Sequence, residues 1–186
     1  MLRLFIALEL SDQQKKEMHE LQQRTKQYLK GVRWVRPQGM HLTLKFLGDT
    51  EESRVEQVQD ILKQASEQID PFAIKYGSSG VFPGPKKARV LWVGLKDGEE
   101  KAKLLANILE EGFCKIGFKK EKRHYSPHLT IGRLRNPQPE EMVKKYLEKE
   151  STFLSSSVEA QSVILYQSKI SVQGAEYTVL CRKSFH

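Results

Sequence analysis

The chain has 186 residues, enough for one compact domain with a substantial core, and 39% of them are hydrophobic and 29% charged, as in ordinary globular proteins. No apolar run is long enough to span a bilayer, and the two cysteines, Cys114 and Cys181, show neither paired nor metal-ligand spacing, which leads us to expect a cytoplasmic protein without membrane attachment. A formal net charge of +8 suits a polyanionic partner, although much of that charge falls on helix faces that water alone would satisfy.

In chain order, residues 2–10 alternate as a strand; Glu9 breaks the apolar run, and no small-residue cleavage site follows, so this is not read as a signal peptide. Ser11 is placed to cap a helix whose Met18, Leu21, Tyr28 and Leu29 recur at helical spacing, with Gly31 at its end. A short strand at 32–35, a turn at Pro37-Gln38-Gly39 and a strand at 40–47 follow. Thr50 or Ser53 would cap the next helix, with Val55, Val58, Ile61, Leu62, Ala65 and Ile69 as its buried stripe. Strands at 72–81 and 88–95 flank the turn-rich FPGPKK. Then come a helix at 99–113, the basic loop FKKEKRHYSP and a strand opening at His128. A helix at 140–149 and strands at 158–168 and 176–183 complete the chain. The strand after PQG follows too closely for a parallel crossover, so the expectation is an α+β fold with mainly antiparallel sheets.

The chain writes His-Leu-Thr-aliphatic twice, in MHLTLKFLG and PHLTIGR, with His41 and His128 lying 87 residues apart. At that offset LFIALELSD falls on LWVGLKDGE, with Phe5 on Trp92 and Ala7 on Gly94, while Met18 falls on Leu105 and Leu21 on Ile108. Strand, helix and second strand agree on one register. The chain is therefore read as a single domain, residues 1–186, built from two lobes of β-α-β-β-α-β type related by a pseudo-two-fold.

On a strand, alternate side chains share a face. His41, Thr43 and Lys45 then lie opposite Met40, Leu42, Leu44 and Phe46, and His128 and Thr130 lie opposite Leu129 and Ile131. The leucines and the isoleucine look like the core side, and Phe46 is assigned to the core with them. With five histidines and six threonines, chance placement gives about 0.16 His-x-Thr pairs, and two are present. Two imidazoles facing one cleft suit acid–base work near neutral pH, and hydroxyls beside them can hold phosphate oxygens. That chemistry needs no metal, and no HxH, HExxH or Cys/His set is present. His124 is read as a loop residue, and His19 and His186 as solvent-exposed.

These motifs resemble the two-histidine (2H) phosphoesterase superfamily. The whole chain, from RLFIALEL through VRWVRPQGMHLTLKFLG and GVFPGPKKARVLWVG to YSPHLTIGR, is similar to the RNA 2′,3′-cyclic phosphodiesterases, historically called 2′-5′ RNA ligases. The resemblance implies a bilobal α+β fold with the active site between the lobes and no cofactor. It implies hydrolysis of RNA 2′,3′-cyclic phosphate ends to a 2′-phosphate, with His41 as proton donor and His128 as proton acceptor. Thr43 and Thr130 would hold the phosphate. Arg133 matches a family arginine, but strict alternation turns it away from His128 unless a bulge or twist intervenes. The resemblance also offers Phe46 as a contact for the base, against which its alternation favours the core, and the basic segments 33–36, 86–89 and 119–123 are candidates for contact with an RNA backbone. No obligate protein partner is expected, and nothing suggests an oligomer interface, so a monomer is expected. Two other readings stand beside this one: a 2H phosphodiesterase or reversible 2′-5′ ligase acting on another oligonucleotide or cyclic nucleotide, and a non-catalytic basic RNA-binding module.

Overall fold

The computed structural model describes residues 1–171 and 174–186. Its strands are β1 (Leu2–Glu9), β2 (Val32–Trp34), β3 (His41–Thr50), β4 (Phe72–Phe82), β5 (Val90–Asp97), β6 (His128–Leu134), β7 (Val158–Ala160), β8 (Ser162–Ser171) and β9 (Gly174–Ser184). Its helices are α1 (Asp12–Thr25), α2 (Val55–Ser66), α3 (Glu99–Lys115) and α4 (Glu140–Lys149). The strands form two sheets, one ordered β3-β1-β8-β9 and the other β2-β6-β5-β4-β7, and every pairing is antiparallel. The fold is α+β and bilobal, as expected.

The lobes are not the two halves of the chain. Offset by 87 residues, β1 corresponds to β5, β3 to β6 and β4 to β8, yet β4 pairs with β5 while β8 pairs with β1. Each half therefore completes the sheet of the other. The helices are exchanged too. Gln14 and Gln22 of α1 reach carbonyls of β4 and β6, whereas α3 lies against β3. One contiguous apolar cluster runs through both lobes, from Leu4, Ile6 and Leu42 to Leu91, Leu129 and Ile131. Neither half can bury its own apolar stripe without the other, which makes the fold cooperative across the repeat.

Local signals explain the element ends. Ser11 caps α1 in a full capping box with Gln14, and the Gln14 amide also reaches the Ile74 and Ser156 carbonyls. That helix ends at Thr25, short of Gly31, in a turn where the Tyr28 and Leu29 N–H groups both donate to the Thr25 carbonyl. Neither Thr50 nor Ser53 caps α2; a 3-10 turn at Glu52–Arg54 feeds it, and Arg54 binds the Ile116 carbonyl instead. Pro37–Gly39 is likewise a 3-10 turn, and the expected strand at 158–168 divides into β7 and β8, which join different sheets. No helix among the described residues is long and apolar enough to cross a membrane.

Gly98, at φ +86°, starts α3, and a Cβ there would stand 2.4 Å from the Ala73 carbonyl oxygen. Gly98→Ala combines a left-handed backbone with a clash against backbone rather than a flexible side chain. It should lower stability by at least about 1–3 kcal/mol, read as a reduced midpoint in urea unfolding.

Candidate functional site

The two His-x-Thr stretches open β3, the edge strand of one sheet, and β6, which runs between β2 and β5 in the other. Strands β3 and β6 lie against each other where the sheets meet, and the Tyr125 hydroxyl, just ahead of β6, donates to the Thr43 carbonyl at 2.9 Å. Each histidine is the first residue of its strand. His41 donates a ring N–H to the Gly39 carbonyl, and the His128 Nδ1 lies 2.8 Å from the Ser126 carbonyl oxygen. Both rings are thus held by the backbone two residues upstream. A carbonyl oxygen only accepts, so this contact puts a proton on the His128 Nδ1 and leaves Nε2 as the ring nitrogen not engaged by it.

Alternation holds only as far as the threonines. Opposite β1, Ala7 pairs with Thr43 and Ile6 with Lys45, leaving Leu44 as an extra residue. Opposite β5, Trp92 pairs with Thr130 and Leu91 with Gly132, leaving Ile131 as an extra residue. These β-bulges sit at matching places in the repeat, and each sends two consecutive residues to the core side. Lys45, expected beside His41, is instead 7% exposed and binds Glu110 of α3 at 2.7 Å. Burial alone would push the Glu110 carboxyl up, but its bonds from Lys45 and the Glu121 N–H outweigh that and hold it low.

Beyond the bulges the next residues swing to the histidine face. Phe46 is 70% exposed, so its assignment to the core is wrong: the bulge at Leu44 turns its ring beside Phe5, at 6.0 Å, and Phe5 lies 4.6 Å from His41. Arg133, 87 residues on, is exposed and turned by the bulge at Ile131 to the side of His128 and Thr130. The extra residue also creates extra hydrogen-bonding demand. The Ile131 carbonyl accepts from the Val35 N–H at 3.0 Å and from the Gln22 amide at 2.9 Å, and the same amide donates to the Val35 carbonyl at 2.8 Å. Gln22 is buried, and it pins β2, β6 and the bulge together.

The imidazoles sit in different surroundings. His41 is walled by Phe5, by Tyr177 edge-on at 4.9 Å and by Tyr166 at 6.0 Å. Burial there lowers its pKa to about 4, with the Gly39 carbonyl working in the opposite direction. Glu9, across the ladder from His41, is engaged by Arg182 at 2.8 Å. His128 meets Phe82 edge-on at 5.0 Å and lies 6.3 Å from Trp92. Phe5 and Trp92, which fall on each other at the 87-residue offset, therefore flank the two histidines in turn. Tyr166, Tyr177, Phe82 and Gln22 stand in no motif, since strand pairing brings the three aromatic residues to the site and the packing of α1 brings Gln22. His124, His19 and His186 are exposed, and no group of three His, Cys, Asp or Glu residues among those described could hold a metal ion.

The family model for LigT-like phosphoesterases matches residues 8–92 and again 93–177. The chain belongs to this family. It is 32% identical over 184 residues to the RNA 2′,3′-cyclic phosphodiesterase of Archaeoglobus fulgidus, covering 95% of this chain and 96% of that one. It is 30% identical over 176 residues to the enzyme of the same description from Methanothermobacter thermautotrophicus, covering 95% of both. Among solved structures, a Thermus thermophilus protein superposes with a TM-score of 0.83 at 23% identity over 99% of this chain and 98% of that one. E. coli LigT complexed with 3′-AMP superposes with a TM-score of 0.76 at 21% identity over the same shares.

Two outcomes test this geometry. Gln22→Leu leaves the Val35 and Ile131 carbonyls short of a donor in a buried place and should cost about 1–3 kcal/mol in urea unfolding. For His41, the unfolded ring titrates near 6.5 and the folded ring near 4, so between those values the unfolded state binds more protons. The stability from burying a neutral ring is complete above pH 6.5 and is lost as pH falls through 4. Roughly 3 kcal/mol should disappear over that window in the native chain and not in His41→Asn, measured by urea unfolding at stepped pH.

Proposed function

We propose that this chain is a single two-histidine domain that hydrolyses the 2′,3′-cyclic phosphate at RNA ends, leaving a 2′-phosphate. The observation that supports this reading is the matched pair of bulged His-x-Thr strands, β3 and β6, which lie in contact; in this reading their two imidazoles, two hydroxyls and one guanidinium act together. The curated relatives, similar along nearly the whole chain, support the substrate class.

In the proposed reaction His128 takes a proton from water as its oxygen attacks phosphorus. The bond from phosphorus to the 3′ oxygen breaks, and that oxygen receives a proton from His41. The products are a 2′-phosphomonoester and a free 3′ hydroxyl, so protons and bonds balance. Thr43 and Thr130 donate to non-bridging oxygens, and Arg133 neutralises charge that builds on them. The aromatic wall bears directly on the donor role. In the free protein His41 is neutral at pH 7, and an anionic phosphate seated beside it favours the protonated ring. In this reading the proton donor gains its charge from the substrate it protonates. The exposed Phe46 ring offers a stacking surface for the terminal base.

Turnover of a 2′,3′-cyclic-phosphate-ended oligoribonucleotide, with the product phosphate located by NMR, tests the reading. His41→Ala and His128→Ala should each lower kcat by at least about 100-fold while the fold persists, and activity should survive EDTA. Undiminished turnover in either variant removes that histidine from the mechanism, and binding of RNA without turnover by the native chain points to a non-catalytic module.

A further inference from the structure

Arg33 and Arg133 are direct cross-strand partners in the β2–β6 ladder. Directly opposed residues of an antiparallel pair put their side chains on one face, with Cβ atoms about 4.5–5.5 Å apart, and like charges so placed repel. Both residues are exposed, and neither forms an ion pair among the described residues. The neighbouring face offers no relief, because Arg133 is flanked on its other side by Val90 of β5. The opposition is built in rather than incidental. Trp34 and Val32 pack into the core on the reverse side of β2, and Gln22 and the Val35 N–H lock that strand to the bulge, so Arg33 cannot slip to another register.

The other sheet has no counterpart to this arrangement. There β3 is the edge strand, no strand among the described residues pairs with its outer side, and the position matching Arg133 is the exposed Phe46. One lobe thus presents an aromatic surface and the other two unneutralised guanidiniums in a row leading away from His128 and Thr130.

We propose that Arg33 forms a second phosphate subsite with Arg133, taking the phosphodiester on the 5′ side of the terminal nucleotide, so that the protein acts on oligonucleotide ends in preference to mononucleotides. This rests on the phosphodiesterase reading above and adds to it a second phosphate contact, at Arg33. The terminal phosphate engages Thr43, Thr130 and Arg133, and the chain then leaves over β2, where a polyanion relieves the Arg33–Arg133 repulsion. Binding strength and salt sensitivity therefore depend on a residue that plays no part in the bond-breaking step.

The test compares kcat/KM for an oligoribonucleotide of about six nucleotides ending in a 2′,3′-cyclic phosphate with that for a mononucleoside 2′,3′-cyclic phosphate, in the native chain and in Arg33→Ala. The native chain should prefer the oligonucleotide, and Arg33→Ala should reduce the preference about tenfold, as expected for one charge-assisted contact. The dependence of log kcat/KM on log salt for the oligonucleotide should become shallower by about 0.7, the value for one single-strand phosphate. Thermal unfolding should show Arg33→Ala to be no less stable than the native chain, since it removes a repulsion. An unchanged preference, or a native chain indifferent to length, overturns the subsite while leaving the phosphodiesterase reading intact. Failure of the native chain to turn over either substrate overturns both.

Discussion

Leu44 and Ile131 each stand unpaired in their strands, and the side chains beyond them face the opposite way from what simple alternation dictates. Without those bulges Phe46 would be driven into the core, Lys45 would crowd the histidines, and Arg133 would point away from His128. A bulge in a buried strand leaves backbone groups that the ladder cannot satisfy, and burying such a group unpaired is costly. At Ile131 the need is met by the Val35 N–H and by Gln22, a side chain from a helix more than a hundred residues earlier in the chain. The position of Arg133 thus depends on the packing of α1.

The exchange of elements between halves gives that dependence its rigidity. Each half contributes β4 or β8 to the sheet of the other, and one apolar cluster spans the whole molecule. A site assembled from β3 and β6 is consequently held by residues drawn from both halves at once. The Tyr125 hydroxyl on the Thr43 carbonyl and the Lys45–Glu110 ion pair add direct ties around β3, and the latter also engages the Glu121 N–H of the basic loop. His41, Thr43, His128 and Thr130 can remain partly exposed because the strands that carry them are packed on the side facing the core.

The approximate two-fold is broken where it matters chemically. His41 lies in an aromatic enclosure that disfavours its charged form, while His128 meets aromatic rings on a sheet that also carries Arg133 and Arg33. Beyond the bulges, one strand carries an exposed ring and the other a guanidinium. A repeat with identical motifs in this way presents unlike surfaces, one aromatic and one cationic. Unlike surroundings are also what two histidines require if one is to give a proton as the other takes one.

Residue patterns alone establish the α+β class, the element order with its Ser11 cap, the offset that relates the halves, and His41, Thr43, His128 and Thr130 as candidates. Those features are local or periodic, so a window of a few residues or one repeated register carries them. Which sheet each strand joins emerges only in three dimensions, because strand pairing is a contest among all apolar faces at once. The same holds for Lys45, Phe46 and Arg133: period-two alternation assigns each to the wrong face, and only the register against β1 and β5 reveals the extra residue that reverses them. The aromatic wall of His41, the Gln22 anchor and the opposed Arg33 and Arg133 belong to that second kind, since each joins positions far apart in the chain whose meeting is enforced by burial of the shared core.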